Sequence, residues 1–359
     1  MGFPKIWTGA TSDYGLSTNW QAVSVRNSAY SWTASGSGTN EYYLRTAANG
    51  NPGFAATPAL VYLNGSSATS GSLGSLAAGR WGYGDNDTLG YSTIYVRLSD
   101  GTDPDSKSAD YVQFYQIPKT DDDVTFPISG GGTVDTNLDQ SAVAIDDFVT
   151  ADEWTGTIGS ASNYLRIDPN RFEWNGGSGY LDLGATPIPI TVKGTATPVF
   201  GYQSLYLRGT ALTTVDATGG YLGLGANPGD SGTCTNLRVS GNANVVLGTG
   251  AAVTTVDMLG GTLDLRCSAT TINLYGGTLT LSAASAVTTI NLYGGELRWA
   301  STGNITTLNQ YRGVFNEKVS GATRTLTTLN YYGGQIEWFY EAVTHTNKNI
   351  LRSMSLSGN

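Results

Sequence analysis

From Val215 onward one short phrase recurs: Thr-Thr, an aliphatic residue, Asn or Asp, two further residues, then Gly-Gly. The copies read TTVDATGG, TNLRVSGN, TTVDMLGG, TTINLYGG twice, TTLNQYRG, TTLNYYGG and a last RSMSLSGN. Their aliphatic anchors are Val215, Leu237, Val256, Ile272, Ile290, Leu308, Leu329 and Met354, giving steps of 22, 19, 16, 18, 18, 21 and 25 residues. A repeat of about twenty residues with β-branched strands and Gly turns specifies a coiled β-solenoid, whose laps bury their apolar side only against neighbouring laps. Function on such a chain is expected along a ladder-like surface rather than in a compact pocket.

Within a copy the apolar residues alternate with period two, so successive side chains take opposite faces. Ile290 and Leu292 precede the Gly294-Gly295 corner, and Leu297 and Trp299 resume the alternation after it. The same offsets give Ile272, Leu274, Leu279 and Leu281, and one lap earlier Val256, Met258, Leu263 and Leu265. These positions are expected to stack inside. Glycine pairs supply the positive φ that a sharp corner needs. With about 4.8 Å between neighbouring strands, some eight coils make a rod of about 40 Å.

If the anchors point inward, the next residue points out: Asp216, Arg238, Asp257, Asn273, Asn291, Asn309 and Asn330. Four Asn on neighbouring coils form an expected amide ladder. Residues three past the anchor also face out, which aligns Tyr275, Tyr293, Tyr311 and Tyr332 as a vertical stripe. A bend at this corner is the alternative, and it turns either ladder inward. Exposed aromatics serve as sugar-stacking platforms or interface cores, although Tyr also belongs in strands for packing alone. The candidate binding or oligomer-interface residues are therefore Tyr275, Tyr293, Tyr311, Tyr332, Asn273, Asn291, Asn309, Asn330, Trp299 and Trp338. Tyr43, Trp81, Tyr83 and Tyr91 are further aromatic candidates nearer the N-terminus.

The rest of the chain divides by texture. Residues 1–118 hold short aromatic-rich strands between Gly, Asn and Asp turns, which points to a jelly-roll-like antiparallel β-sandwich. The opening W-T-G-A…N-W and the later DDDVTFP look like two halves of one element, so this unit reads as a nested insertion. Residues 119–210 are irregular strands, an irregular β cap that opens the solenoid, and IPITVKGTA and SLYLRGTA within them resemble imperfect early coils. Residues 211–359 are the parallel β-helix. The fold class expected is all-β.

Bulk properties narrow the function. A formal charge of −9 opposes nucleic-acid binding, which needs a positive surface. No apolar run approaches bilayer length, and the opening MGFPKIWTGATSD lacks the basic stretch and apolar core of a signal peptide. Cys234 and Cys267 precede anchors two coils apart, about 9–10 Å, which is beyond disulfide reach, so two free thiols are expected.

Catalytic signals are weak. Glycoside hydrolysis needs two carboxyls about 5–9.5 Å apart, yet among Asp216, Asp257, Asp264, Glu296, Glu317, Glu337 and Glu341 no adjacent outward pair stands out. Glu296 and Glu337 both follow a Gly corner, but two coils apart. His345, the single histidine, has no nucleophile elbow and no second His, and reads as a surface-loop residue. The acidic turns Asp100-Gly-Thr-Asp103-Pro-Asp105 and Asp85-Asn86-Asp87 offer the oxygens that calcium takes. They lack the EF-hand's Gly and Glu, and Asp and Gly form turns in any case. No catalytic residue, metal ligand or cofactor is assigned.

Three stretches together carry a family resemblance: W-T-G-A-x-S…N-W with DDDVTF; LGSLAAGRWGYGDNDTLGYSTIYVRLSDGTDPD; and TNLDQS…WTGTIGSASNYLRI leading into TTINLYGG. They resemble bacteriophage and prophage structural proteins in which a β-sandwich head precedes a parallel β-helix. That resemblance implies a non-enzymatic virion component, a fibre or decoration on head or tail. Its implied partners are capsid or tail proteins, further copies in a homotrimer, and host-surface polysaccharide, without membrane insertion. It implies assembly in the host cytoplasm and release by lysis. A tailspike-like polysaccharide depolymerase and a bacterial surface adhesin are the alternatives.

Overall fold

The structure, a computed structural model, describes residues 4–8, 11–15, 19–21, 23–24, 30–46, 57–58, 60–108, 111–115, 118, 122–129, 131–184, 188–194, 204–317, 323–337 and 343–351. Apart from 3-10 turns at Asn19 and at Pro104–Ser106, the described residues form strands and loops only. The chain divides into two compact units, residues 1–137 with 143–148, and residues 138–142 with 149–359.

In the first unit, Pro4–Trp7 pairs in parallel with Asp123–Phe126, Lys5 opposite Val124, and antiparallel with Trp20–Gln21, Trp7 opposite Trp20. The two motif halves therefore meet, as their sequences suggest. Trp7, Trp20 and Phe126 form one cluster, with ring centroids 5.1–5.8 Å apart. Lys5 and Asp122 form a buried ion pair at 3.6 Å beside it. Asn19 explains the spacing of the opening motif. Its amide donates to Thr11 Oγ1 at 2.6 Å and to the Asp13 carbonyl at 2.7 Å, and its Oδ1 accepts from the Thr11 amide. Between the halves, strands from residue 23 to 115 build a mostly antiparallel eight-stranded sheet around Trp32, Leu44, Val61, Trp81, Ile94, Val96 and Phe114.

The second unit is a β-solenoid of about nine turns. Each turn has a longer and a shorter strand. The longer ones are Ser204–Ala217, Gly232–Val239, Ala251–Met258, Ala269–Leu274, Val287–Leu292, Ile305–Gln310, Arg324–Tyr331 and Val343–Ile350. Each pairs in parallel with the next, so one column runs Val215, Leu237, Val256, Ile272, Ile290, Leu308 and Leu329. All seven are at most 1 % exposed. The column also continues downward through Ile190 to Phe172, and Leu205 and Leu207 stack between Gly179–Leu181 and Leu222–Leu224. Ile188–Val192 and the start of SLYLRGTA are thus the long and short strands of a further lap, which accounts for more turns than the repeat count of eight.

Both glycines of a corner are fixed by the lap beneath. A Cβ on Gly294 would stand 2.4 Å from the Tyr275 carbonyl oxygen, inside contact distance. Gly295 adopts φ +71, which L side chains resist, and a Cβ there meets the Gly277 oxygen at 2.5 Å.

Three expectations need correction at the C-terminal end. The rung above Leu329 is Lys348, in Val343–Ile350, rather than Met354, which lies outside the described residues. His345 is no surface-loop residue. It lies above Leu326 with its side chain 6 % exposed, and Nε2 is 3.1 Å from Oε1 of fully buried Glu317. Glu317 is likewise not a solvated rung. Arg324, 1 % exposed, donates to the Glu317 carbonyl at 2.7 Å and covers the Trp299 ring at 4.7 Å.

Candidate interaction surface

The surface grows from the alternation around each anchor. Ile272 and Leu274 go inside, so Asn273 and Tyr275 are left on the outer side, immediately before the Gly corner. Identical offsets on successive laps then stack like on like.

Asn273 donates from Nδ2 to Asp257 Oδ1, Asn291 to Asn273, Asn309 to Asn291 and Asn330 to Asn309, each at 2.8 Å. Asn349 adds a fifth bond of 2.7 Å to Asn330. Every donor points down the rod and the chain of amides ends on Asp257, a carboxylate that only accepts. Asn273, Asn291, Asn309 and Asn330 are half-buried and Asn349 is exposed, and this ladder fastens one lap to the next.

Beside it the tyrosine rings form a parallel stack. Centroids are 4.9 Å apart from Tyr275 to Tyr293, 4.9 Å from Tyr293 to Tyr311 and 4.7 Å from Tyr311 to Tyr332, with planes within 7°. Tyr275, Tyr293 and Tyr311 are 51 %, 38 % and 37 % exposed. Backbone bonds put two leucines in the same column. Leu259 donates to Val239 as Tyr275 does to Met258, and Leu351 donates to Tyr331 one rung above Tyr332. They are 46 % and 60 % exposed. Sequence offsets point to Leu259 directly, three residues past Val256. Leu351 and Asn349 were hidden because their anchor, Lys348, is not aliphatic.

Trp299 does not belong to this surface. It is fully buried above Leu281, where a large ring fills the interior, and its indole donates to the Gly303 carbonyl at 3.1 Å. Trp338 lies outside the described residues. Trp81 is buried in the first unit's core, while Tyr43, Tyr83 and Tyr91 are half-buried.

Carboxylates elsewhere are engaged. Glu296 accepts from Arg298 through both oxygens at 2.8 and 2.9 Å, and this bond holds its carboxyl below the ordinary range, so it stays ionised. Glu337 stands two coils higher in the neighbouring column, above Asn316. In the acidic turns, Asp87 accepts from the Gly36 and Ser37 amides, Asp85 from Leu89 and Gly90, and Asp105 from Trp32. Asp100 binds Lys107, which pulls its carboxyl down to about 2. Among the described residues, no three metal-ligating side chains converge.

A second aromatic group, Tyr164, Tyr180, Tyr206 and Tyr221, lies on the lower coils. Tyr164 is tied there to Asp230, Asn227 and the overlying Arg208, so its polar end is consumed within the protein. Compared with known proteins, the chain matches no family model, no curated protein and no solved structure.

Proposed function

We propose that this chain is a non-enzymatic structural and adhesive component of a bacteriophage virion surface, a fibre or decoration protein on head or tail. In this reading the N-terminal unit is a jelly-roll-like head that docks on capsid or tail proteins. The solenoid is a stiff rod, and copies assemble as a homotrimer that stabilises the particle or meets host-surface glycan. The observation that carries the reading is the outer side of the solenoid. It presents a continuous aromatic ridge, while the carboxylates of Glu296 and Asp264 are locked to Arg298 and Arg266. A contact surface of that kind suits a protein that works by binding and stiffness.

Mass spectrometry of virions purified from a host that carries this gene is the test. The expected result is stoichiometric presence, with antibody-labelled electron micrographs placing the protein on head or tail. Absence from purified particles overturns the proposal.

A further inference from the structure

The ridge from Leu259 to Leu351 has features that select its partner. Sugars stack by laying their C–H bonds on a free aromatic face. Here Tyr293 and Tyr311 each have a neighbouring ring on both sides, at 4.7–4.9 Å and within 7° of parallel. The column therefore presents ring edges and hydroxyls, a ridge rather than a platform. Its leucine ends are apolar and have no hydrogen-bonding group for a glycan.

The flanks are nearly neutral as well. On one side the Asn amides bond to each other above Asp257, and on the other lie the Gly corners with Arg312. From Leu259 to Tyr332 these columns therefore carry one carboxylate and one guanidinium, which balance. Chains with a net charge of −9 repel one another, and a neutral apolar strip is where they approach with least penalty. The ridge also repeats at the strand spacing of about 4.8 Å. A partner meets every rung at once only if it has the same period, and a second copy laid parallel has it necessarily.

We infer that this ridge is the contact between copies of the chain, which pack side by side, parallel and in register. The inference rests on reading the ridge as a contact surface, but not on the virion location. Five rung steps give a ridge of about 24 Å. That is short beside a standard interface of about 800 Å² per partner, so association is expected in the micromolar range.

Light scattering on the full chain from about 1 to 100 μM tests this. The wild type is expected to associate with rising concentration. The Tyr293→Ser/Tyr311→Ser double variant is expected to stay monomeric with an unchanged far-UV spectrum. Tyr275→Cys, near one end of the ridge, is expected to give a covalent dimer on mild oxidation, because only parallel in-register copies bring two 275 positions together. The native thiols stay silent, since Cys234 and Cys267 are buried and burial pushes each up to about 11. A monomeric wild type at the highest concentration overturns the inference, as does association that survives the double variant or a Tyr275→Cys chain that fails to cross-link. Quenching of tyrosine fluorescence by host polysaccharide in a monomeric wild type, lost in the double variant, would make the ridge a glycan site and also overturn it. Self-association by a protein absent from virions would leave this inference standing and remove the proposed function.

Discussion

The middle coils and the last coil obey the same winding but fill their interiors differently. From Ile272 to Leu308 the anchor column holds only Ile and Leu, each with an aliphatic residue above and below, while Ala269, Trp299 and Gln310 fill adjoining inward places. Across the last described laps Glu317, Arg324 and His345 occupy inward places, and Lys348 is the last described rung of the anchor column. Val343–Ile350 is largely exposed. A lap covered on both sides can be filled with apolar residues, whereas a largely exposed strand needs groups that tolerate water.

The largest expected effect separates these regions. Arg324→Ala leaves the buried Glu317 and Ser301 carbonyls without their donor, at about 1–3 kcal/mol each, and uncovers the Trp299 ring. Because each lap contacts only its neighbours, the loss is expected in hydrogen exchange at 324–331 and 343–350, with 269–292 unchanged. Uniform loss across all coils would show that the two regions are not energetically separate.

The amide ladder sharpens the comparison at a smaller scale. Asn291→Ala removes a bond on each side and leaves Asn309 without its acceptor, at about 1–3 kcal/mol. Asn349→Ala breaks one exposed terminal bond, and urea melts should resolve about 0.5 kcal/mol or less. Equal effects would mean that the ladder is no more than surface decoration.

A third, smaller effect depends on pH. Burial raises Cys234 and Cys267 from 9.0 to about 11. A raised thiol favours the folded state fully below the unfolded value, and that contribution is lost as pH rises through the folded one. Stability should therefore fall between about pH 9 and 11, and Cys234→Ala/Cys267→Ala should flatten that fall. At pH 8 a thiol reagent should find no reactive cysteine in the native chain and two in urea.

Much of the solenoid was legible because its determinants are local and repeated. The anchors, the period-two alternation and the Gly corner place Asn273, Asn291, Asn309 and Asn330 in one column and the four Tyr in another. Where an anchor is polar the rule lost its mark, so Lys348 was missed and Met354 stood in its place. The pairing of Pro4–Trp7 with Asp123–Phe126 was visible as two motif halves, although its register was not.

Sequence alone determined the period, the inward and outward sides and the composition of the ridge, since these follow from offsets within a single lap. Tertiary structure decided the Glu317–His345 contact beneath the last strand and the extension of the ridge to Leu351. Those depend on which residues a neighbouring lap brings alongside after loops of unequal length. That is a relation between distant parts of the chain, and no local pattern encodes it.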